Sequence, residues 1–169
     1  HGDHQTRTAR ARRSTSRLGS KLMRRIDVLI VDDQAIVREG VKRILAAAPE
    51  LHVAGEATSG GEAIDLMRSA RWDVVLLDVS LPDTNALSIL HAIQDHAPQL
   101  PVLVLSMYSE DQYALRMLKA GARGYLEKQD APGELVSALH RVVEGGHYVG
   151  AALAEKLSRD FRHRQFAAP

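Results

Sequence analysis

The most constraining feature of this chain is a series of short, wholly apolar runs separated by amphipathic segments. Val28-Leu29-Ile30-Val31 closes the first, Val74-Val75-Leu76-Leu77 fills the stretch 73–77, and residues 102–105 are apolar throughout. Four or five apolar residues in a row are too few for a buried helix. Without polar alternation they cannot lie half exposed in an antiparallel sheet, so they fit strands covered on both faces. The segments between them have helical spacing. Residues 34–48 carry Ile36, Val37, Val41, Ile44 and Leu45 and are closed by Pro49, and residues 61–70 direct Ala63, Ile64 and Met67 inward. Helices are predicted at 85–96, stopped by Pro98, at 110–120, ended by Gly121, and at 131–144, with Pro132 in the first turn. Ile26–Val31, Leu51–Ala57, 73–77, 102–105 and Gly124–Glu127 supply five strands. Five strand–helix units in succession predict an α/β fold, a doubly wound five-stranded parallel sheet with helices on each side. Right-handed crossovers then put the functional loops at the carboxyl ends of the strands.

Size and composition suit this architecture. The 169 residues allow one domain of about 100–150 residues with tails, and 45% hydrophobic content suffices for a core. No apolar run approaches the roughly 18 residues of a membrane span, so the expectation is a soluble protein. The absence of cysteine excludes disulfides, thiolate metal sites and cysteine catalysis, and fits a reducing, cytoplasmic setting. Net charge is +1, but residues 1–25 hold eight Lys/Arg against one acid, whereas residues 26–149 hold ten basic and eighteen acidic side chains, a formal −8. The expected organisation is a basic disordered extension or foreign remnant at 1–25, with Met23 a plausible native start. A folded domain follows at 26–146, then a linker or helical tail at 147–169 containing a helix over 151–159. An acidic body is a poor nucleic-acid binder on its own surface, although the basic arm alone would suit nucleic acid or an acidic partner.

Several strand ends carry chemistry. Asp32 and Asp33 follow the first strand, Asp78 the third, Ser106 the fourth and Lys128 the fifth. A single Asp after a strand is ordinarily a cap or turn residue, and a Ser or Lys there is ordinarily just solvated. The acids, the hydroxyl and the lysine in this order at successive strand ends outweigh that bland reading. If the first and third strands are neighbours, three carboxylates converge and repel one another unless a cation lies between them. Such hard oxygen ligands suit Mg²⁺, which keeps several waters and accepts phosphate oxygens. With the cation in place an anionic phosphoryl donor can approach Asp78, and carboxylates form acyl phosphates. Lys128 would add a point charge and Ser106 a hydroxyl donor, in a transfer that depends mainly on positioning and charge neutralisation. His52, His91, His96, His140 and His147 are scattered without ligand spacing, so no metal role is expected for them.

Ile-Val-Asp-Asp at 30–33, Leu-Leu-Asp-Val-Ser-Leu-Pro at 76–82, Val-Leu-Ser-Met at 104–107 and Lys-Ala-Gly-Ala-Arg-Gly-Tyr-Leu-Glu-Lys at 119–128 resemble the receiver domain of two-component response regulators, over about residues 26–146. The last block and Gly-Gly-His-Tyr-Val at 145–149 are similar to the NarL/FixJ subfamily with LuxR-type output. The resemblance implies the flavodoxin-like, CheY-like strand order 2-1-3-4-5. It implies Asp78 as phosphoacceptor, with a sensor histidine kinase as donor and the receiver supplying the catalysis. Asp33, Asp78 and the backbone carbonyl of Ser80 would contact Mg²⁺ directly, and Asp32 mainly through water. Lys128 would pair with the phosphoryl group, and Ser106 and Tyr125 would be the switch residues. Ser106 is then expected to follow the phosphoryl oxygens inward and vacate space for Tyr125. Three departures stand out: Ala86 where many relatives have Gly, Gln129 in place of a frequent Pro, and Met107 at a site that is small in chemotaxis-type receivers. Met107 and Tyr108 are expected to hinder water and slow loss of the phosphoryl group.

The leading expectation is the regulatory half of a transcription factor, with DNA reached only through an output domain outside this sequence and with homodimerisation on phosphorylation. The alternative is a stand-alone receiver acting as a phosphate sink or docking switch. An Asp-nucleophile phosphatase would need a second Asp where Ser80 stands, and nucleotide use would need a Gly-Lys-Ser/Thr loop that this sequence lacks. Catalysis is expected only of the domain's own phosphorylation and dephosphorylation.

Overall fold

The computed structural model describes residues 24–79, 86–107 and 111–167. The basic arm up to residue 23, the segment containing Ser80, and Tyr108 lie outside the described residues. The elements in chain order are β1 (Ile26–Val31), α1 (Ala35–Leu45), β2 (Leu51–Ala57), α2 (Gly60–Ser69), β3 (Val74–Asp78), α3 (Ala86–His96), β4 (Val102–Ser106), α4 (Asp111–Lys119), β5 (Gly124–Glu127), a 3-10 turn (Lys128–Asp130), α5 (Ala131–Val143), β6 (Tyr148–Val149) and α6 (Ala151–Ala167). The sheet is parallel in the order β2-β1-β3-β4-β5-β6. The five expected strands are present in the expected order. The sixth is an addition, because Tyr148 and Val149 pair with Gly124 and Tyr125 beyond the Gly145-Gly146 break. Two strands also run one residue further than predicted, so Asp78 and Ser106 are the last residues of β3 and β4 themselves.

Strand pleat divides the core into two layers. Val28, Ile30, Val74, Leu76, Leu103, Leu105 and Leu126 pack with α1 and α5, while Leu29, Val31, Val75, Leu77, Val102, Val104 and Tyr125 pack with α2, α3 and α4. Most of these side chains are fully buried, and truncating one such Leu to Ala costs about 2–5 kcal/mol. Local chemistry fixes the helix ends. Ser59 caps α2 by accepting from the Glu62 N–H, and Glu62 reaches back to the Thr58 N–H and hydroxyl. Helix α4 closes on Gly121 at φ +107°, with Ala122 N–H donating to Met117 and Gly121 N–H to Leu118. Helix α5 ends the same way on Gly145. The predicted helix over 34–48 is shorter than expected. Gln34 is extended and precedes it, and after Leu45 the chain turns, with Ala48 N–H donating to Leu45.

An acidic pocket at the carboxyl edge of the sheet

Register alone brings the first acid to the third strand. Val28 lies opposite Val74 and Ile30 opposite Leu76, so continuing the ladder by one pleat sets Asp32 alongside Asp78 on the α1/α5 face. Both are buried, Asp32 completely. Asp32 is held on three sides: its N–H donates to Ala57 O (2.9 Å), its Oδ1 accepts from Gln34 N–H (2.9 Å), and its carbonyl accepts from Arg38 Nη1 (2.8 Å). Its Oδ2 is buried with no donor among the described atoms. Burial, and then the neighbouring Asp78 carboxyl, push the Asp32 pKa up to about 7; the Gln34 N–H and Lys128 act against that rise. Burial withholds water from the Asp32 carboxylate and Asp78 crowds it, so its charged form is disfavoured twice over.

Lys128 opens the 3-10 turn after β5, and its Nζ lies 2.8 Å from Asp78 Oδ2, with both side chains largely buried. Ser106 is fully buried at the end of β4, opposite Glu127 in the β5 register, and Asp78 is opposite Leu105. Ser106 shares the pleat parity of Val102 and Val104, the layer that also holds Tyr125. Tyr125 is only 2% exposed and meets Tyr113 edge-on, with ring centroids 6.4 Å apart. A cavity of about 200 Å³ opens beside these residues, lined by Ser106, Met107, Glu127, Lys128 and Gln129. Met107 is 71% exposed at that opening.

The structure therefore brings together Asp32, Asp78 and Lys128, with Ser106 at the end of the adjoining strand. Asp33, next in the chain, is exposed, and Ser80 lies outside the described residues. Among the described residues no three His, Cys, Asp or Glu side chains form a metal-holding group. The donors present nevertheless fit a hard divalent cation, because a buried carboxylate oxygen lacks a partner where a second carboxylate meets it. Two of the scattered histidines make ordinary surface pairs, His140 with Glu50 at 2.8 Å and His52 with Asp27 at 3.4 Å. Sequence reasoning missed Arg38 and Gln34, the two residues that hold Asp32 from behind. Their positions just after the acid pair were visible, but a helix-borne Arg on its own announces no partner.

Sheet order and pocket together define a CheY-like α/β protein with buried acids and a lysine at its carboxyl edge. The chain belongs to the Response regulator receiver domain family, whose profile matches residues 28–140. It is 35% identical over 138 residues to the transcriptional regulatory protein DegU of Brevibacillus brevis, a match covering 82% of this chain and 58% of that protein. A two-component response regulator of the LuxR family from Aurantimonas sp. SI85-9A1 superposes with a TM-score of 0.76 at 30% identity, covering 80% of this chain and 97% of that one. The isolated REC domain of RcsB from Salmonella enterica serovar Typhimurium, solved in the presence of the phosphomimetic BeF3⁻, gives a TM-score of 0.71 at 25% identity, over 78% and 97% of the two chains. These relatives are of the LuxR/NarL type expected from the 119–128 block. The chain spans about three-fifths of the length of the first curated relatives it matches. No described helix is long and apolar enough to cross a membrane.

Proposed function

We propose that this chain is a phosphoacceptor switch. Asp78, in the cytoplasm, takes a phosphoryl group from a phosphohistidine of a sensor histidine kinase, and the change is passed to a transcription-regulating output. The observation that carries this reading is the buried Asp78 carboxylate, 2.8 Å from Lys128 and beside the Asp32 carboxylate. In the transfer an Asp78 oxygen forms the new O–P bond, the N–P bond of the donor breaks, and the electron pair leaves with the imidazole, which then takes a proton. Lys128 would meet the phosphoryl oxygens as a point charge, and the Ser106 hydroxyl, on turning toward them, as a donor. Asp32, Asp33, Asp78 and the Ser80 carbonyl would hold Mg²⁺, which supplies charge neutralisation for the incoming anion. The chain catalyses only its own phosphorylation and dephosphorylation.

A phosphoryl group adds about −1.5 to −2 charge at the pocket. Ser106 turns toward it, and Tyr125, in the same layer, repacks against Tyr113. The DNA-binding and dimeric states of the parent protein follow from that repacking. The test is treatment with acetyl phosphate and Mg²⁺, read by intact mass and sedimentation. Wild type should gain one phosphoryl group and shift toward a dimer, and Asp78→Asn should gain none. Wild type that stays unmodified, or an Asp78→Asn variant modified equally, sinks the reading.

A further inference from the structure

We infer that Arg38, on α1, is a positioning residue for the acidic pocket: it fixes the backbone of Asp32 so that the one unsatisfied carboxylate oxygen is presented to the cation. The inference rests on the reading of the pocket given above and concerns a residue outside it.

Four hydrogen-bonding groups of Asp32 decide where its side chain goes. The N–H is committed to Ala57, the carbonyl to Arg38 and Oδ1 to Gln34, and only Oδ2 remains. Two of these three restraints are backbone N–H bonds supplied by the strand ladder and by the turn into α1. The third is a side chain. Arg38 uses the two ends of its fork differently: Nη1 takes the Asp32 carbonyl at 2.8 Å, and Nε takes Glu56 Oε1 on β2 at 3.1 Å. Its side chain is only 16% exposed. Glu56 is steadied in turn by Lys42, one turn further along α1, at 2.9 Å.

The guanidinium thus bridges α1, β2 and the chain just after β1. It grips the Asp32 carbonyl and not the carboxylate. Its effect is therefore geometric, a restraint on the peptide that carries Asp32 into Asp33. Lysine cannot replace it, because a single ammonium does not span a carbonyl and a carboxylate with the fixed geometry of a planar fork. Residues that orient metal ligands from behind typically change metal affinity by about 10–100-fold when lost.

The experiment is Mg²⁺ titration by calorimetry on the full chain, with thermal unfolding in chelator recorded alongside, for wild type, Arg38→Met, Arg38→Lys and Lys42→Met. Arg38→Met keeps most of the apolar stem, and Lys42→Met removes an ion pair of the same network without touching Asp32. The expected result is Mg²⁺ binding weakened about tenfold in Arg38→Met and left unrescued by Arg38→Lys. Lys42→Met should bind like wild type even if its melting temperature falls as far. Equal Mg²⁺ affinity in Arg38→Met and wild type overturns the positioning role, whatever happens to the melting temperature. So does equal weakening in Lys42→Met, which would mark a merely structural network. Failure of wild type itself to bind Mg²⁺ would instead remove the pocket's reading as a cation site, a separate outcome.

Discussion

At the scale of single residues, the pocket is built from conflict. Asp32 ionises near 3.8 in an unfolded chain and at about 7 in the fold. Between those values the metal-free folded protein holds a proton that the unfolded chain has released, so stability falls as pH rises across that window. Chemical denaturation in chelator at pH 5 and pH 8 should therefore give the lower stability at pH 8. Asp32→Asn removes the charge, keeps an oxygen for the Gln34 N–H and offers Asp78 an amide donor. It should stabilise the metal-free protein at pH 8 by on the order of 1 kcal/mol or more and flatten the pH slope. A variant less stable than wild type at pH 8 would show that the two carboxylates do not oppose each other. The same variant should lose whatever stabilisation Mg²⁺ confers on wild type.

At the scale of elements, the strand cores, most helix stops and the placing of Asp32, Asp78, Ser106 and Lys128 at successive strand ends were legible in the sequence, whereas the first helix stops at Leu45, short of Pro49. Gly121 announced where α4 ends, and the structure places it, like Gly145 after α5, at positive φ in the turn that closes the helix. Gly121→Ala is expected to cost more than about 1 kcal/mol. The backbone angle disfavours any side chain, and an added Cβ would fall on the Gln94 amide. A melting temperature within a degree of wild type would argue against that strain. What the sequence did not disclose is the facing of each strand. In a run such as Val74-Val75-Leu76-Leu77 both faces are apolar, so nothing local says whether Asp78 lies with α1 and α5 or with α2, α3 and α4. Pairing with β1 decides it, and pairing is a long-range fact. The β6 pair escaped notice for another reason: two residues after a double glycine carry too short a pattern to mark a strand.

At the scale of the whole molecule, an acidic two-layered body follows a basic leading arm with eight Lys/Arg in residues 1–25. Deleting residues 1–22 should leave Mg²⁺ binding and phosphorylation by acetyl phosphate unchanged, as measured by calorimetry and intact mass. Loss of either would assign the arm a part in the site. At the other end, β6 fastens Val149 directly to Tyr125, and α6 begins two residues later, with Leu153 resting against the same apolar layer. A helix of 17 residues is about 25 Å long. Rooted beside Tyr125, the residue proposed above as the aromatic switch, such a helix would act as a lever arm: a tilt of about 5° at its root would sweep its far end through roughly 2 Å. A rearrangement too small to notice at the pocket would thus arrive, magnified, at whatever the far end of that helix carries.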